Sequence, residues 1–328
     1  MTLSNVGPAV NLYYDRLLLE AADDALLHTQ FASVRTLPEN HSGTIKFRRY
    51  ENLAAVPTPL TEGQTPAGTA LSTTDITATV MQYGNYIRVS DQIQKLIEDP
   101  IVNVCAKKLG YNMALTMDIL TRDVLASCAS VVECSGGSNG NTPTELSKSD
   151  IDFAVQQLLI NNAMMMTEVV QGEDRANTFP IRPAFMGILH ADLIQDLENV
   201  ANFKEAASYA SVQKVMNREW GSTGNVRWLY TSIGFTTPAV AAQSATSTTA
   251  ATPASPKTYT LPIIGKEAYA RVNLGANGGE SLIVKPLGSG GASDPIDQRA
   301  TVGWKRWYTT RILNDNFMTR LICSAKAA

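Results

Sequence analysis

The sequence predicts an α+β protein, and three features carry that expectation. An apolar stripe at helical spacing (Cys105, Leu109, Met113, Met117, Leu120, Val124, Cys128) marks one long helix. Strand-like runs crowd the C-terminal half. Near the N-terminus, two further strand-like runs enclose a string of Pro, Thr and Gly that no compact core would hold; the first run and the string read TIKFRRYENLAAVPTPLTEGQTPAG, from Thr44 to Gly68.

In chain order, residues 1–43 read as an arm. Tyr14, Leu17, Leu18, Ala21 and Ala25 recur at helical spacing and predict an amphipathic helix from Val10 to Phe31, broken by RTLPENHSG. In TIKFRRY, Ile45 and Phe47 alternate with Lys46 and Arg48, which is the period of a strand. The partner run, DITATVMQYGNYIRVSD, extends from Asp75 to Asp91. The connection between the two runs, Leu53 to Thr74, is far longer than a hairpin turn. Asp99-Pro100 supplies a helix start, because Asp accepts from free N–H groups and Pro suits the first helical position. The long helix is expected from Pro100 to about Ser130, roughly 45 Å at 1.5 Å per residue.

SGGSNGNTPTELS reads as a loop. Ser149 with Asp152 three residues on resembles a capping box, and a helix to about Asn162 turns Ile151, Ala154, Val155, Leu158 and Leu159 inward. AFMGILH then predicts a strand, ADLIQDLENV a helix and NVRWLYTSI a strand. TTPAVAAQSATSTTAATPASPK is low in complexity and predicts a surface loop. LPIIGKEAYARVNL and SLIVKPL are strand-like, with Gly-rich turns between them. The closing ATVGWKRWYTTRILNDNFMTRLICSA predicts a hairpin turning at Leu313–Asn316, with Trp304 and Tyr308 on one face of its first strand and Trp307 on the other.

Composition narrows the function. The 328 residues suffice for one large domain or two ordinary ones, and 44% apolar with 17% charged residues describes a globular chain. So few charges suggest that much of the surface is covered by something else. A net charge of -3 argues against tight nucleic-acid binding by the protein as a whole, while leaving room for local basic patches. The four cysteines form no C-x-x-C pair and read as free and buried, in keeping with a reducing cytoplasm. The start lacks the pattern of a secretory signal, and no apolar run approaches the ~20 residues that span a bilayer. The protein is therefore expected to be made and used in the cytosol, away from membranes.

Chemistry-bearing patterns are sparse. His28, His41 and His190 have no second histidine at metal-ligand spacing, and His190 reads as a capping or surface residue. Gly136-Gly137-Ser138-Asn139-Gly140 fits G-x-S-x-G, but it follows a long helix and leads into Asn141-Thr142-Pro143 rather than sitting between strand and helix. LGSGGASD lacks the Gly-Lys-Ser/Thr ending of a phosphate loop, and Met164–Met166 reads as packing. No catalytic residue, metal site or cofactor is assigned. Basic residues gather at Lys46, Arg48 and Arg49, and again at Arg299, Lys305, Arg306 and Arg311, where Trp304, Trp307 and Tyr308 interleave. The second cluster suits an interface; single-strand nucleic-acid binding is the alternative.

Three stretches carry a family resemblance: KFRRYENLAAVPTPLTEGQTP with TVMQYGNYIRVSD, EWGSTGNVRWLYTS, and VKPLGSGGASDPIDQRATVGWKRWYTTRILNDNFMTRLI. Together, from about Thr44 to Ile322, they resemble the major capsid proteins of tailed bacteriophages, closest to a subfamily typified by a podovirus of enteric bacteria. The resemblance implies the Hong Kong 97-type capsid fold, with an N-terminal arm (1–43) and an extended β-hairpin loop (44–91). A peripheral domain with the spine helix (92–146) would be completed by 285–328, and an axial domain would occupy 147–284. It implies a non-enzymatic protein that self-assembles into hexamers and pentamers of an icosahedral shell around double-stranded DNA, which it touches weakly and non-specifically. A portal, a separate scaffolding protein and a decoration or cement protein are the further partners. The location implied is the virion capsid, assembled in the host bacterial cytoplasm; an encapsulin-like compartment is the alternative of the same fold. The expected subunit interface comprises Ile45, Lys46, Phe47, Arg48, Arg49, Leu60, Glu62 and Arg88, with the basic face of the arm meeting carboxylates of the adjacent copy. Trp304, Trp307, Tyr308 and Phe317 are expected in the core or interface of the terminal hairpin.

Overall fold

The structure, a computed structural model, describes residues 26–325 apart from 39–41, 61, 66, 97–100, 168–182, 210–214, 238–256, 276–280, 290–295 and 297. Most of the expected arm helix, the Asp99-Pro100 start and most of the low-complexity loop lie outside the described residues. The described end of the arm, 26–32, is a series of turns.

Two sheets organise the described chain. In the five-stranded one, β14 (Arg299–Ile312) is central. On one edge of β14, Arg299–Tyr308 pairs with the whole of β4 (Met81–Ser90). The other edge is shared by β12 (Tyr269–Leu274) and β13 (Ser281–Lys285), and β1 (Ser33–Leu37) adds in parallel to β12. The eight-stranded sheet runs β5 (Val131–Glu133), β15 (Met318–Ser324), β11 (Thr258–Ile264), β6 (Phe185–His190), β9 (Val226–Thr231), β8 (Glu219–Thr223), β7 (Phe203–Glu205), with β10 (Phe235–Thr237) also on β11. On one edge of β11, β10 covers Thr258–Thr260 and β6 covers Ile263–Ile264. Pro262, which has no N–H to give, falls in the gap between them. A two-stranded sheet, β2 (Thr44–Tyr50) with β3 (Thr73–Thr79), stands apart.

The terminal hairpin is corrected by this topology. The turn lies where expected, with a 3-10 turn at Asp315–Phe317 capped by Asn314. Yet β14 and β15 do not pair; they enter different sheets. The same turn chemistry serves a hairpin and a crossing between layers, and only the partners of each strand decide which forms. In the same way β12 and β13 share a sheet with β14, whereas β15 belongs to the other sheet. The run Asp75–Asp91 likewise divides at the buried Val80 into β3 and β4.

The described residues include four α-helices: α1 (Asp91–Leu96), α2 (Ile101–Ala126), α3 (Lys148–Ile160) and α4 (Ile194–Glu198). The helix α2 buries Cys105, Leu109, Met113 and Met117 as the stripe requires, then Asp118, Thr121 and Leu125, while Leu120 and Val124 are half-buried. A spacing of four advances a helix by about 40° beyond one turn, so a stripe held at that spacing rotates off the packed face. N-capping of α3 falls to Ser147, two residues before the expected Ser149; its hydroxyl accepts from the Asp150 N–H. Ile151, Ala154 and Leu158 are buried, but Leu159 is exposed.

Three clusters make up most of the core among the described residues. The face of α2 packs Leu109, Met113 and Met117 on Val302, Trp304 and Tyr308 of β14. The helices α3 and α4, with the 3-10 turn Ala191–Leu193 before α4, pack Ile151, Leu158, Leu193 and Leu197 on Phe185, Trp228, Leu261 and Leu321 of the larger sheet. Between them, Leu125 and Cys128 meet Met186, Leu229, Ile264, Tyr269 and Met318. All four cysteines are free and buried.

The joint is also tied by polar groups. Asp118, fully buried in α2, accepts from the Leu27 N–H (3.0 Å), the His28 N–H (2.7 Å) and the His28 ring at Nδ1 (2.7 Å). Tyr269 Oη–H donates to the His28 carbonyl at 2.5 Å. His28 therefore sits in a turn at the joint, not on a helix. Thr121 joins Tyr308 and Thr310 (2.7 and 3.2 Å), and a buried Arg227–Glu219 pair links β9 to β8.

Trp304 is 3% exposed and its Nε1–H donates to Asn112 at 3.3 Å. Trp304→Ala is expected to lower unfolding free energy by about 3–5 kcal/mol, and Trp307→Ala, on the half-buried face, to cost clearly less. Denaturant melts of both variants check this; equal losses would mean that packing against α2 is not what Trp304 contributes.

Candidate functional site

Among the described residues no group of three His, Cys, Asp or Glu could hold a metal ion. The histidine at the end of β6 is a cap: His190 Nδ1 accepts from the Asp192 N–H at 3.1 Å, and burial lowers its pKa. Asp192 is in turn held by Lys257 (2.8 Å) and Tyr259 (2.7 Å). In the Gly136–Gly140 loop, Glu145 accepts from the N–H groups of Ser138 (2.5 Å) and Asn139 (2.7 Å), and from the Ser138 hydroxyl (3.1 Å). These donors, the Ser138 N–H foremost, bring the Glu145 carboxyl down to about 2. Ser138 is thus held by a loop-closing carboxylate that its own hydrogen bonds make a weak base.

What the fold leaves open are two surfaces. The first is the β2–β3 hairpin. Its base is anchored by Ile45 and Phe47, which pack with Trp307 and Leu274 on Leu37, Ala78, Val80 and Val272. Arg49 Nη2 and Nε bond Glu51 (2.8 and 3.0 Å), and its Nη1 donates to the Leu313 carbonyl at 3.4 Å, tying the hairpin to the β14–β15 turn. Beyond the anchor, residues 51–72 form a connection without helix or strand among the described positions. Leu53, Val56, Leu60 and Leu71 are 58, 73, 77 and 57% exposed. Gly63, at a φ of +76°, makes the turn after Glu62 that only glycine adopts without strain.

The second is a groove of about 760 Å³ on the face of the five-stranded sheet turned away from α2. Gly84 and Gly303 leave its floor without side chains; Arg88, Lys285, Arg299 and Lys305 stand around it. A Cβ added at Gly84 would meet the Trp304 carbonyl at 2.7 Å, and one at Gly303 would meet Tyr86 Cβ at 2.8 Å.

The expected interface residues therefore divide. Leu60 and Glu62 lie exposed near the tip of the connection, and Lys46 is exposed at its base. Ile45 and Phe47 face their own subunit. Arg48 already holds a carboxylate of its own chain, bonding Asp75 across the hairpin through Nε (2.8 Å) and Nη2 (3.1 Å). That pairing raises the Arg48 pKa and lowers that of Asp75. Arg88 lies in the groove, donating to Tyr86 Oη at 3.0 Å. Trp304 and Tyr308 are core, and Phe317 packs between two clusters. Strand alternation separates the basic-aromatic cluster of β14: Trp304 and Tyr308, with Arg306, turn to the buried side, and Arg299, Lys305 and Arg311 to solvent. Of that strand's aromatics Trp307 lies on the outward face, half-buried in the cluster that anchors the hairpin. The groove itself was missed in the sequence, because Gly84 and Gly303 are far apart in the chain and meet only through strand pairing.

The chain is similar to solved phage capsid structures. It matches the capsid of Ralstonia phage GP4 at 14% identity and a TM-score of 0.63, over 90% of this chain and 87% of that one. The acid-stable capsid of Helicobacter pylori bacteriophage KHP30 matches at 10% and 0.60, over 93% and 90%. The capsid of cyanophage P-SCSP1u matches at 12% and 0.59, over 91% and 88%. The fold is that of phage capsid proteins. No protein-family model and no curated protein matches the sequence.

Arg48 and Asp75 test how far the hairpin is held from within. Either single reversal, Arg48→Asp or Asp75→Arg, is expected to reduce amide-exchange protection in β2 and β3, and the double reversal to restore it. Identical protection in all three variants would leave the anchor to Ile45 and Phe47 alone.

Proposed function

We propose that this chain is the major capsid protein of a tailed bacteriophage, self-assembling into hexamers and pentamers of an icosahedral shell that encloses double-stranded DNA. The observation that carries the reading is the connection at 51–72, in which four large apolar side chains are more than half exposed among the described residues. Each such side chain, once covered, contributes on the order of 1.5–3 kcal/mol. The partner that matches is another copy. A loop from one copy meeting a different surface on the next is a heterologous contact, the kind that closes into rings. Each subunit gives one loop and receives one, so modest contacts multiply around the ring. The capsid fold of the solved relatives supports the same reading.

In Hong Kong 97-type terms, the hairpin and its connection act as the extended loop and α2 as the spine helix. The five-stranded sheet with α2 forms the peripheral domain, and the eight-stranded sheet with α3 and α4 the axial domain. Leu60, Glu62 and Lys46 are the residues of this arm that reach the neighbour. Ile45, Phe47 and Arg49 set its angle. A portal, a separate scaffolding protein and a decoration protein complete the assembly, in the cytoplasm of the bacterial host.

Deletion of Pro57–Leu71 is expected to give soluble protein with near-native circular dichroism and no closed particles by electron microscopy. Normal shells from this variant would remove the loop from the intersubunit contact. Failure to fold would place it in the subunit's own core.

A further inference from the structure

The groove on the open face of the five-stranded sheet has features that the shell reading does not use. Strand register sets its cations in rows. Lys285 and Arg88 flank Thr301 on opposite sides of β14, two strand spacings or about 10 Å apart. Lys305 projects from the same face of β14, and Arg299 from its other end, a run of roughly 20 Å at ~3.4 Å per residue. Among the described residues no carboxylate lines the groove. Lys285 and Lys305 are exposed and have no hydrogen-bond or ion-pair partner among the described residues. Arg88 is oriented by Tyr86, through the bond to Oη and with its guanidinium 5.5 Å from the ring centroid.

Arg88 and Lys285, about one Debye length apart, repel one another, and a partner that brings several negative charges at close spacing relieves this. A second copy of the chain is a poor one: its protruding connection, 51–72, contains two carboxylates, Glu51 and Glu62, and Glu51 is already bonded to Arg49. A phosphodiester backbone carries one charge per nucleotide, with a rise of about 3.4 Å per nucleotide along a duplex axis, so a strand lying along β14 brings several phosphates within reach of Arg88, Lys285 and Lys305. The glycine floor leaves depth for the backbone, and the cations on both walls reach it from either side.

We propose that this groove binds the phosphodiester backbone of nucleic acid, irrespective of base sequence. Arg88, Lys285 and Lys305 contact phosphates, and Gly84 with Gly303 keeps the floor open. The acidic balance of the whole chain is compatible with this, because the cations act locally.

The test uses the full-length chain, a fluorescent 20-nucleotide oligothymidine and a mixed-sequence 20-base-pair duplex, with binding read by anisotropy across a salt series. Both probes are expected to bind, more weakly as salt rises. The double variant Lys285→Gln/Lys305→Gln removes two phosphate contacts, so the slope of log K against log salt for the single strand should fall by about 1.4. Affinity at 0.1 M salt should then fall about 25-fold, if the electrostatic contribution vanishes near 1 M. The variant's melting curve should match wild type. Absence of binding by the wild-type chain, or binding unchanged in the variant, overturns the proposal. If the variant instead loses particle assembly while binding is unchanged, the groove is a contact between copies, and the shell reading stands without this one. Groove-dependent binding by a chain that never forms particles supports this proposal and rejects the shell.

Discussion

Backbone pairing on both edges of β14 is the constraint from which the rest of the architecture follows. A long central strand must satisfy its N–H and C=O groups on both sides. It does so with β4 along one edge and with β12 and β13 sharing the other. Once those partners are fixed, alternation decides the two faces. Val302, Trp304 and Tyr308 must meet α2, and Thr301, Gly303 and Lys305 must face outward. The buried face makes a core; the outward one makes the basic groove. Because β4 is reached through the single residue Val80 from β3, the hairpin is placed by the same pairing. At the other end, the turn at 313–317 passes the chain to β15 and so joins the second sheet to the first.

The joint between sheets is where polar chemistry replaces hydrophobic matching. A buried carboxylate is costly unless its oxygens are fully bonded. Asp118 meets that condition with two backbone N–H groups and an imidazole from the segment at 27–28. Such an arrangement specifies one position for that segment, since a slip of one residue would leave the charge buried without partners. The apolar cluster around Leu125, Tyr269 and Met318 supplies the surrounding dry volume.

Much of this was legible in the sequence because it depends on local periodicity. The α2 stripe, the alternation at Ile45–Arg48, the turn at 313–316 and the caps at His190 and near Ser147 are signals within a few residues of chain. What was not legible depends on partners remote in sequence. The His28–Asp118 bond spans 90 residues. The separation of β14 from β15 into different sheets is decided by β4 and β11, not by the turn. Arg48 looked like a residue awaiting a neighbour because Asp75 lies on the far side of a long connection. The basic-aromatic cluster of β14 looked continuous because a sequence lists both faces of a strand in one line.

The single-residue passage from β3 to β4 has a mechanical consequence. Tension applied to the hairpin and carried along the backbone enters β4 at Met81, the end of a ladder that pairs Met81–Ser90 with Arg299–Tyr308. A pull along a strand loads its cross-strand bonds together in shear, whereas a pull across it opens them one at a time. The fold thus converts a local tug on an exposed loop into a load distributed over its longest ladder, and from there, through Trp304 and Tyr308, into α2.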